Sequence, residues 1–225
     1  MKLSVIIPVY NEETTVQEVV NRVQSVEINK EIIIVNDGST DKTGKFLNEL
    51  RNKDLTILSH PKNMGKGASI RTAIQKASGE IIIIQDADLE SNPNEYDRLT
   101  EPIKQGKTDV TYGSRFINGR GKTPPVSYAA NRFLTGLTNI LYGSSLTDME
   151  TCYKCLKTKT LKEMRVRANR FDFEPELTAK LLKKGYSILE VPVSYEFRTI
   201  SSGKKIGWKD GISAIYTLLK YRFVS

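Results

Sequence analysis

Soft metal and redox ligands are scarce in this 225-residue chain, which holds two cysteines and one histidine. Cys152 and Cys155 cannot build a disulfide framework, and with His60 alone they cannot complete a four-ligand zinc site. The Cys-x-x-Cys pair does not open a helix after a first strand, as a redox motif would. Both cysteines are read as small buried residues of a cytosolic protein. No run approaches the ~18 consecutive apolar residues that a membrane span needs. The run Leu3–Val9 contains Pro8 and is too short for a secretory leader. Internal repeats and low-complexity tracts are also missing.

What is present is globular. Apolar residues make up 39% and charged residues 27% of the chain, enough to bury a core. The net charge of +8 is unevenly spread: residues 151–225 carry 16 Lys/Arg against 7 Asp/Glu, whereas residues 1–150 carry 18 against 19. A basic last third fits an anionic partner, whether nucleic acid, an anionic membrane surface or a phosphorylated substrate, and equally an ordinary solvated surface.

The first two-thirds alternates strands and helices. Strands are expected at Leu3–Val9, Glu31–Asn36, Leu55–Ser59, Glu80–Gln85 and Asp109–Ser114. Their near-continuous Ile/Val runs indicate a mostly parallel sheet covered on both faces. Helices are expected from a Thr14 or Thr15 cap to Val26, up to Arg51, over Gly67–Ser78 with Gly79 as the stop, and from an Asn92 cap with Pro93 at the first position to Gln105. Beyond a Gly/Pro-rich loop at Phe116–Val126, the pattern predicts helices at Ser127–Tyr142, Pro175–Lys184 and Trp208–Phe223. Short strands are expected at Cys152–Leu156 and Ser187–Val193, and a basic loop at Arg198–Gly207.

Asp86-Ala87-Asp88-Leu89-Glu90 follows four isoleucines. Carboxylates at the carboxyl end of a buried strand lie where open α/β sheets bind ligands. They suit Mg2+ or Mn2+ bridging a diphosphate; the plainer alternative is a solvated acidic turn. Asp37, Ser39 and Asp41 end the second strand, where a carboxylate can read a base or ribose or simply make an Asp-Gly turn. Gly65-Lys66-Gly67 lacks the Walker spacing, so its glycines either let the backbone approach a ligand or turn into a helix.

Together, Val5-Ile-Ile-Pro-Val-Tyr-Asn-Glu12, Val35-Asn-Asp-Gly-Ser-Thr-Asp41, Asn63-Met-Gly-Lys-Gly67, Asp86-Ala-Asp88 and Gly113-Ser-Arg115 resemble the family 2 glycosyltransferases. The second half, with Leu146–Lys154, Phe171-Asp-Phe-Glu174, Val191-Pro-Val193 and Gly203–Gly211, resembles their dolichyl- and polyprenyl-phosphate mannosyltransferase branch. The resemblance implies an α/β GT-A fold, a Rossmann-like and mostly parallel central sheet with helices on both faces. It implies one catalytic domain over residues 1–225, with a nucleotide-sugar half (1–115) and an acceptor half (116–225) that ends in an amphipathic helix. Pro8, Tyr10, Glu12, Asp37, Gly65, Lys66 and Asp86 would surround the nucleotide-sugar. Asp86, Asp88 and Glu90 would hold Mg2+ or Mn2+, although the branch often has Gln in place of Glu90. Arg115, Arg132, Arg198 and Lys205 would gather at an acceptor phosphate.

The implied reaction inverts the anomeric carbon, with Asp88, Arg115, Asp148 and Glu150 as catalytic residues. A phosphate acceptor needs no general base, whereas a hydroxyl acceptor needs Asp148 or Glu150; otherwise Asp148 caps a turn and Glu150 is exposed. The expected partners are a nucleotide-sugar, a lipid phosphate at the cytoplasmic membrane face and a separate membrane protein, with no nucleic acid. On the last helix, Trp208, Ile212, Ile215, Leu218 and Leu219 are expected to pack on the sheet, leaving Lys209, Lys220 and Arg222 for the membrane. Rival classes fit less well. A sugar nucleotidyltransferase wants a Gly-rich, Arg-bearing loop after the first strand, and a haloacid-dehalogenase-type phosphatase carries Asp-x-Asp after its first strand. A nucleic-acid module wants basic residues interleaved with aromatics. A non-catalytic nucleotide-sugar binder would carry similar site residues.

Overall fold

The computed structural model describes residues 1–50, 55–197 and 207–224. Seven strands form one sheet in the order β3-β2-β1-β4-β6-β5-β7: β1 (Leu3–Val9), β2 (Lys30–Asn36), β3 (Leu55–Ser59), β4 (Ile81–Ile84), β5 (Val110–Ser114), β6 (Lys154–Lys157) and β7 (Ile188–Pro192). All pairings are parallel except those of β6, which runs antiparallel between β4 and β5. The short strand expected at Cys152–Leu156 forms at Lys154–Lys157, two residues later at its start, and is the one antiparallel strand among the described residues.

Alternate side chains along the strands go to opposite faces. On one face Val5, Ile7, Ile32, Ile34, Ile81 and Ile83 pack with helices α1 (Val16–Ser25), α2 (Thr43–Glu49) and α4 (Tyr96–Lys104). On the other, Ile6, Ile33, Val35, Ile82 and Ile84 pack with α3 (Lys66–Ile74), α6 (Thr158–Met164) and α7 (Phe173–Lys183). The two-sided cover expected from the isoleucine runs is present. A third core joins α5 (Pro125–Tyr142), α7 and α8 (Trp208–Phe223) through Leu134, Ala179, Ala214 and Leu218.

Several boundaries differ from the sequence reading. Thr15 stands at the start of α1 without capping it; its hydroxyl instead lies 2.8 Å from Glu12 Oε2 and 2.7 Å from the Ala87 carbonyl. The helix expected to reach Arg51 ends at Glu49, and Arg51 lies outside the described residues. Helix α3 ends at Ile74, not Ser78; the Gly79 amide bonds Ser4 Oγ at 2.9 Å and belongs to the approach to β4. Asn92 does cap, accepting from the Asn94 amide at 3.1 Å, but it caps a 3-10 turn at Pro93–Glu95 that leads into α4. Helix α6 has no counterpart in the sequence reading.

The last helix corrects the expected division of its faces. Ala214, Thr217, Leu218 and Tyr221 are its buried residues. Trp208 is 74% exposed, Tyr216 65% and Phe223 81%, with Ile212 and Leu219 exposed beside them. At about 100° per residue, these five outward residues span an arc of about 80° opposite the buried one. Lys209 and Lys220 border one edge of that arc and Arg222 the other. Helix α8 therefore has two apolar faces, and the one with the largest side chains points outward.

Candidate active site

The strand order turns back on itself at β1, which has β2 on one side and β4 on the other. Ligand crevices of open parallel sheets form at such a point, beyond the carboxyl ends of the strands. The chain places Tyr10–Glu12 after β1, Asp37 after β2 and Asp86–Glu90 after β4 at this edge.

Asp37 is buried and anchors a loop. Its carboxylate accepts from the Met64 and Gly65 amides at 2.9 and 2.7 Å and from His60 Nδ1 at 2.6 Å. With Nδ1 donating, His60 Nε2 accepts from the Thr72 hydroxyl at 2.9 Å. The loops after β1 and β2 are joined as well, because the Asn11 amide bonds Ser39 Oγ at 3.0 Å and Asn11 Oδ1 accepts from the Thr40 amide at 2.8 Å. Glu12 is buried, with its amide bonded to Thr43 Oγ1 at 2.9 Å.

Lys66, the first residue of α3, reaches into the carboxylates. Its ammonium lies 2.8 Å from Asp86 Oδ1 and 2.8 Å from Glu174 Oε1. Burial works against that charge, but Asp86 and Glu174 hold it well above the ordinary lysine range. Asp88 sits beside Asp86 and Glu90; burial, then these two neighbours, push its carboxyl up to about 7. Glu90 Oε2 accepts from the Tyr195 hydroxyl at 2.6 Å, and the Tyr195 ring stacks 5.0 Å from the Arg115 guanidinium.

Among the described residues, no three His, Cys, Asp or Glu side chains form a ready-made cation cage. The donor set nonetheless fits a hard divalent cation. Asp86, Asp88 and Glu90 bring hard oxygen donors together at one strand end, and Mg2+ commonly takes only one or two protein carboxylates together with substrate phosphates. The Lys66 ammonium occupies the position of a counter-ion on Asp86.

Arg115 and Asp148 form a closed pair. Arg115 Nε and Nη2 donate to the two Asp148 oxygens at 2.6 and 2.7 Å, and the Arg115 amide adds a third bond at 3.0 Å. Asp148 is fully buried, so both oxygens are committed. Arg132 is exposed, donating to the Thr147 carbonyl at 3.1 Å. Glu150, expected to be exposed if it had no chemical role, has an enclosed Oε1 with no hydrogen-bond partner. Burial, then Glu174, pushes its carboxyl up to about 7. Lys154 lies beneath, its ammonium donating to the Met149 and Thr151 carbonyls at 2.8 and 2.6 Å. Burial pushes both cysteine thiols upward, so neither is a ready thiolate, in keeping with small packed residues. Pro8 and Tyr10 are half-buried at the end of β1 and just beyond it. Arg198 and Lys205 lie outside the described residues.

Sequence reasoning gives no role to Glu174, His60 or Tyr195. Glu174 stands in the Phe171–Glu174 motif, but an acidic residue in the first turn of a helix is ordinary, and nothing local announces the distant Lys66. His60 enters the sequence reading only in the exclusion of a four-ligand zinc site.

The Glycosyl transferase family 2 profile matches residues 4–164. The chain is 29% identical to the dolichol-phosphate mannosyltransferase of Pyrococcus furiosus over 98% of its own length and 64% of that protein's. It therefore spans slightly less than two-thirds of that relative. It is 28% identical to the UDP-N-acetylglucosamine–dolichyl-phosphate N-acetylglucosaminyltransferase of Methanococcus voltae, covering 95% of this chain and 93% of the other. Its fold resembles glucosyl-3-phosphoglycerate synthase from Mycobacterium tuberculosis, a structure in complex with Mn2+, UDP and phosphoglyceric acid. The TM-score is 0.76 at 20% identity, covering 100% of this chain and 79% of the other. The expected GT-A architecture is thus present.

Glu150 gives the fold a signed pH dependence. Its carboxyl moves from 4.5 to about 7 on folding, so between those values the folded state holds a proton that the unfolded state has lost. Stability from this group is full below the lower value and falls as pH rises to the upper one. Glu150→Gln removes that loss. The difference in Tm, variant minus wild type, is expected to grow from pH 4.5 to pH 7 and then level off. A difference that stays flat across the window contradicts the assignment.

Proposed function

The chain belongs to glycosyl transferase family 2, and from that premise we propose that it transfers a hexosyl group from a nucleotide-diphospho-sugar to a polyprenyl-type lipid phosphate, with inversion. The donor is GDP-mannose or a UDP-sugar. The observation that carries the choice of acceptor is the Arg115–Asp148 pair. A hydroxyl acceptor needs a carboxylate to take its proton, yet both Asp148 oxygens are held by Arg115, and Glu150 has an Oε1 enclosed away from any partner. A phosphate acceptor is already an anion and needs only cations to position it. Arg115 and Arg132, with Arg198 and Lys205 of the basic last third, are the cations offered for this, and the names of the relatives point the same way.

In this reading Pro8, Tyr10 and Glu12 hold the nucleoside. Asp37 fixes the loop beside it through the Met64 and Gly65 amides. Asp86 and Asp88 hold Mg2+ or Mn2+, which when bound stabilises charge on the departing nucleoside diphosphate. Glu90, bonded to Tyr195, orients the edge of the site in preference to binding the metal itself. Lys66 adds positive charge to the diphosphate. Arg115, Arg132, Arg198 and Lys205 draw in the acceptor phosphate and face it towards the anomeric carbon.

The outer stripe of α8 suits an enzyme that works peripherally on an anionic cytoplasmic membrane face. Among the described residues no helix is long and apolar enough to cross a membrane. Exposed Trp208, Ile212, Tyr216, Leu219 and Phe223, bordered by Lys209, Lys220 and Arg222, have the pattern of a helix lying in the headgroup layer.

The donor half is tested by thermal shift with GDP and UDP, each with and without Mn2+. One base is expected to raise Tm in a metal-dependent way, and Asp88→Ala is expected to abolish that rise while keeping the unliganded Tm near wild type. No shift with either nucleotide would sink the donor assignment. The membrane half is tested with Trp208, the only tryptophan. Its emission should move to the blue with vesicles containing phosphatidylglycerol and stay put with pure phosphatidylcholine. An unchanged spectrum with both would refute lipid docking and leave the stripe to a membrane-protein partner.

A further inference from the structure

Lys66 is the only cation paired with Asp86 among the described residues, and it does not belong to Asp86 alone. Its ammonium stands 2.8 Å from Asp86 Oδ1 and 2.8 Å from Glu174 Oε1, so one positive charge is divided between two carboxylates. Glu174 is buried, and its Oε2 has no hydrogen-bond partner. A glutamine would fill the same volume without a charge to desolvate. Buried ion pairs add little stability over neutral groups of similar shape, so stability alone does not explain a charged, half-satisfied carboxylate here.

The division is geometrically imposed. Glu174 lies in the first turn of α7 and Lys66 at the start of α3. The start of α3 packs by backbone against Ala168 and Asn169, in the segment that leads into α7. A Cβ on Gly65 or Gly67 would meet the Asn169 or Ala168 carbonyl oxygen at 2.3 Å, and the Ala68 amide bonds the Asn169 carbonyl at 3.1 Å. Arg71 adds bonds to the Ala168 carbonyl and the Asn169 side chain. Lys66 cannot follow Asp86 without leaving Glu174.

We propose that Glu174 is a positioning residue that acts through Lys66, holding back part of its charge so that Asp86 remains available to the metal and diphosphate of the donor. The inference rests on the donor-site reading above and deepens it. With Glu174 charged, the Lys66 ammonium is shared between two carboxylates, and Asp86 keeps oxygen lone pairs free for a cation. With Glu174 neutral, Lys66 and Asp86 form a closed pair with no net charge, as Arg115 and Asp148 do.

The test is titration calorimetry of GDP and UDP, each with and without Mn2+, on four proteins: wild type, Glu174→Gln, Lys66→Met and the double variant. Wild-type binding of one nucleotide is the reference, and its failure would count against the donor site itself, not against Glu174. Given that binding, Glu174→Gln should weaken the Mn2+-dependent affinity about tenfold, the scale seen when a residue orienting a metal ligand is lost. Metal-free binding should barely change. Adding Glu174→Gln to Lys66→Met should have no further effect, because the residue acts only through that lysine. Wild-type affinity in Glu174→Gln overturns the proposal, as does an equal loss with and without metal. An additive loss in the double variant also overturns it. Should Glu174→Gln alone fail to fold, Glu174→Asp, which keeps the charge but shortens its reach to Lys66, takes its place: a selective loss of Mn2+-dependent affinity is expected, and wild-type affinity overturns the proposal.

Discussion

No side chain beyond a hydrogen fits at Gly65 or Gly67, because the Asn169 and Ala168 carbonyl oxygens stand 2.3 Å from where a Cβ would be. Gly65 also takes a φ of +99°, which a side chain would disfavour. This backbone contact joins the first half of the chain to the second. It sets α3 against the start of α7, and so sets Lys66 against Glu174 while Lys66 still reaches Asp86. On the strand side, Asp37 holds the same loop by the Met64 and Gly65 amides. The donor edge is thus clamped between a buried carboxylate after β2 and a helix from the acceptor half.

Charge at this edge is kept in small closed or nearly closed groups. Asp148 has Arg115, Asp86 shares Lys66 with Glu174, and Asp37 is held by hydrogen bonds from His60 and two backbone amides. Asp88 has no cation of its own among the described residues, and burial with Asp86 and Glu90 nearby pushes its carboxyl up to about 7. The deficit of positive charge is therefore local and lies at the end of β4. A divalent cation and a diphosphate are suited to such a place, since the cation relieves the carboxylates and is itself satisfied by phosphate oxygens.

The sheet is legible in the sequence because Ile/Val runs with turn residues between them suit buried parallel strands and little else. The five expected strands from Leu3 to Ser114 all form, within one residue at each end. The direction of β6 is not legible, because strand pairing is a long-range choice that a four-residue run does not encode. Helix α6 escapes because it is seven residues long and Leu161 and Met164 are its buried apolar side chains. The two faces of α8 are hard to assign for a related reason. Periodicity separates apolar from polar positions, but here both faces are apolar, and only the third core decides that Leu218 goes in while Leu219 stays out. Within the site, the carboxylates after each strand can be read from their position. Glu174 and Tyr195 cannot, since their partners Lys66 and Glu90 come from distant parts of the chain.

The central claim is that the sugar goes to a lipid phosphate, positioned by cations with no general base. It is tested most directly by mass spectrometry of products formed from GDP-mannose and UDP-sugars with Mn2+ and a short-chain polyprenyl phosphate, run beside the same polyprenol without its phosphate. The account predicts a hexosyl phosphate product from one donor and no product from the alcohol. Comparable transfer to the alcohol would contradict it.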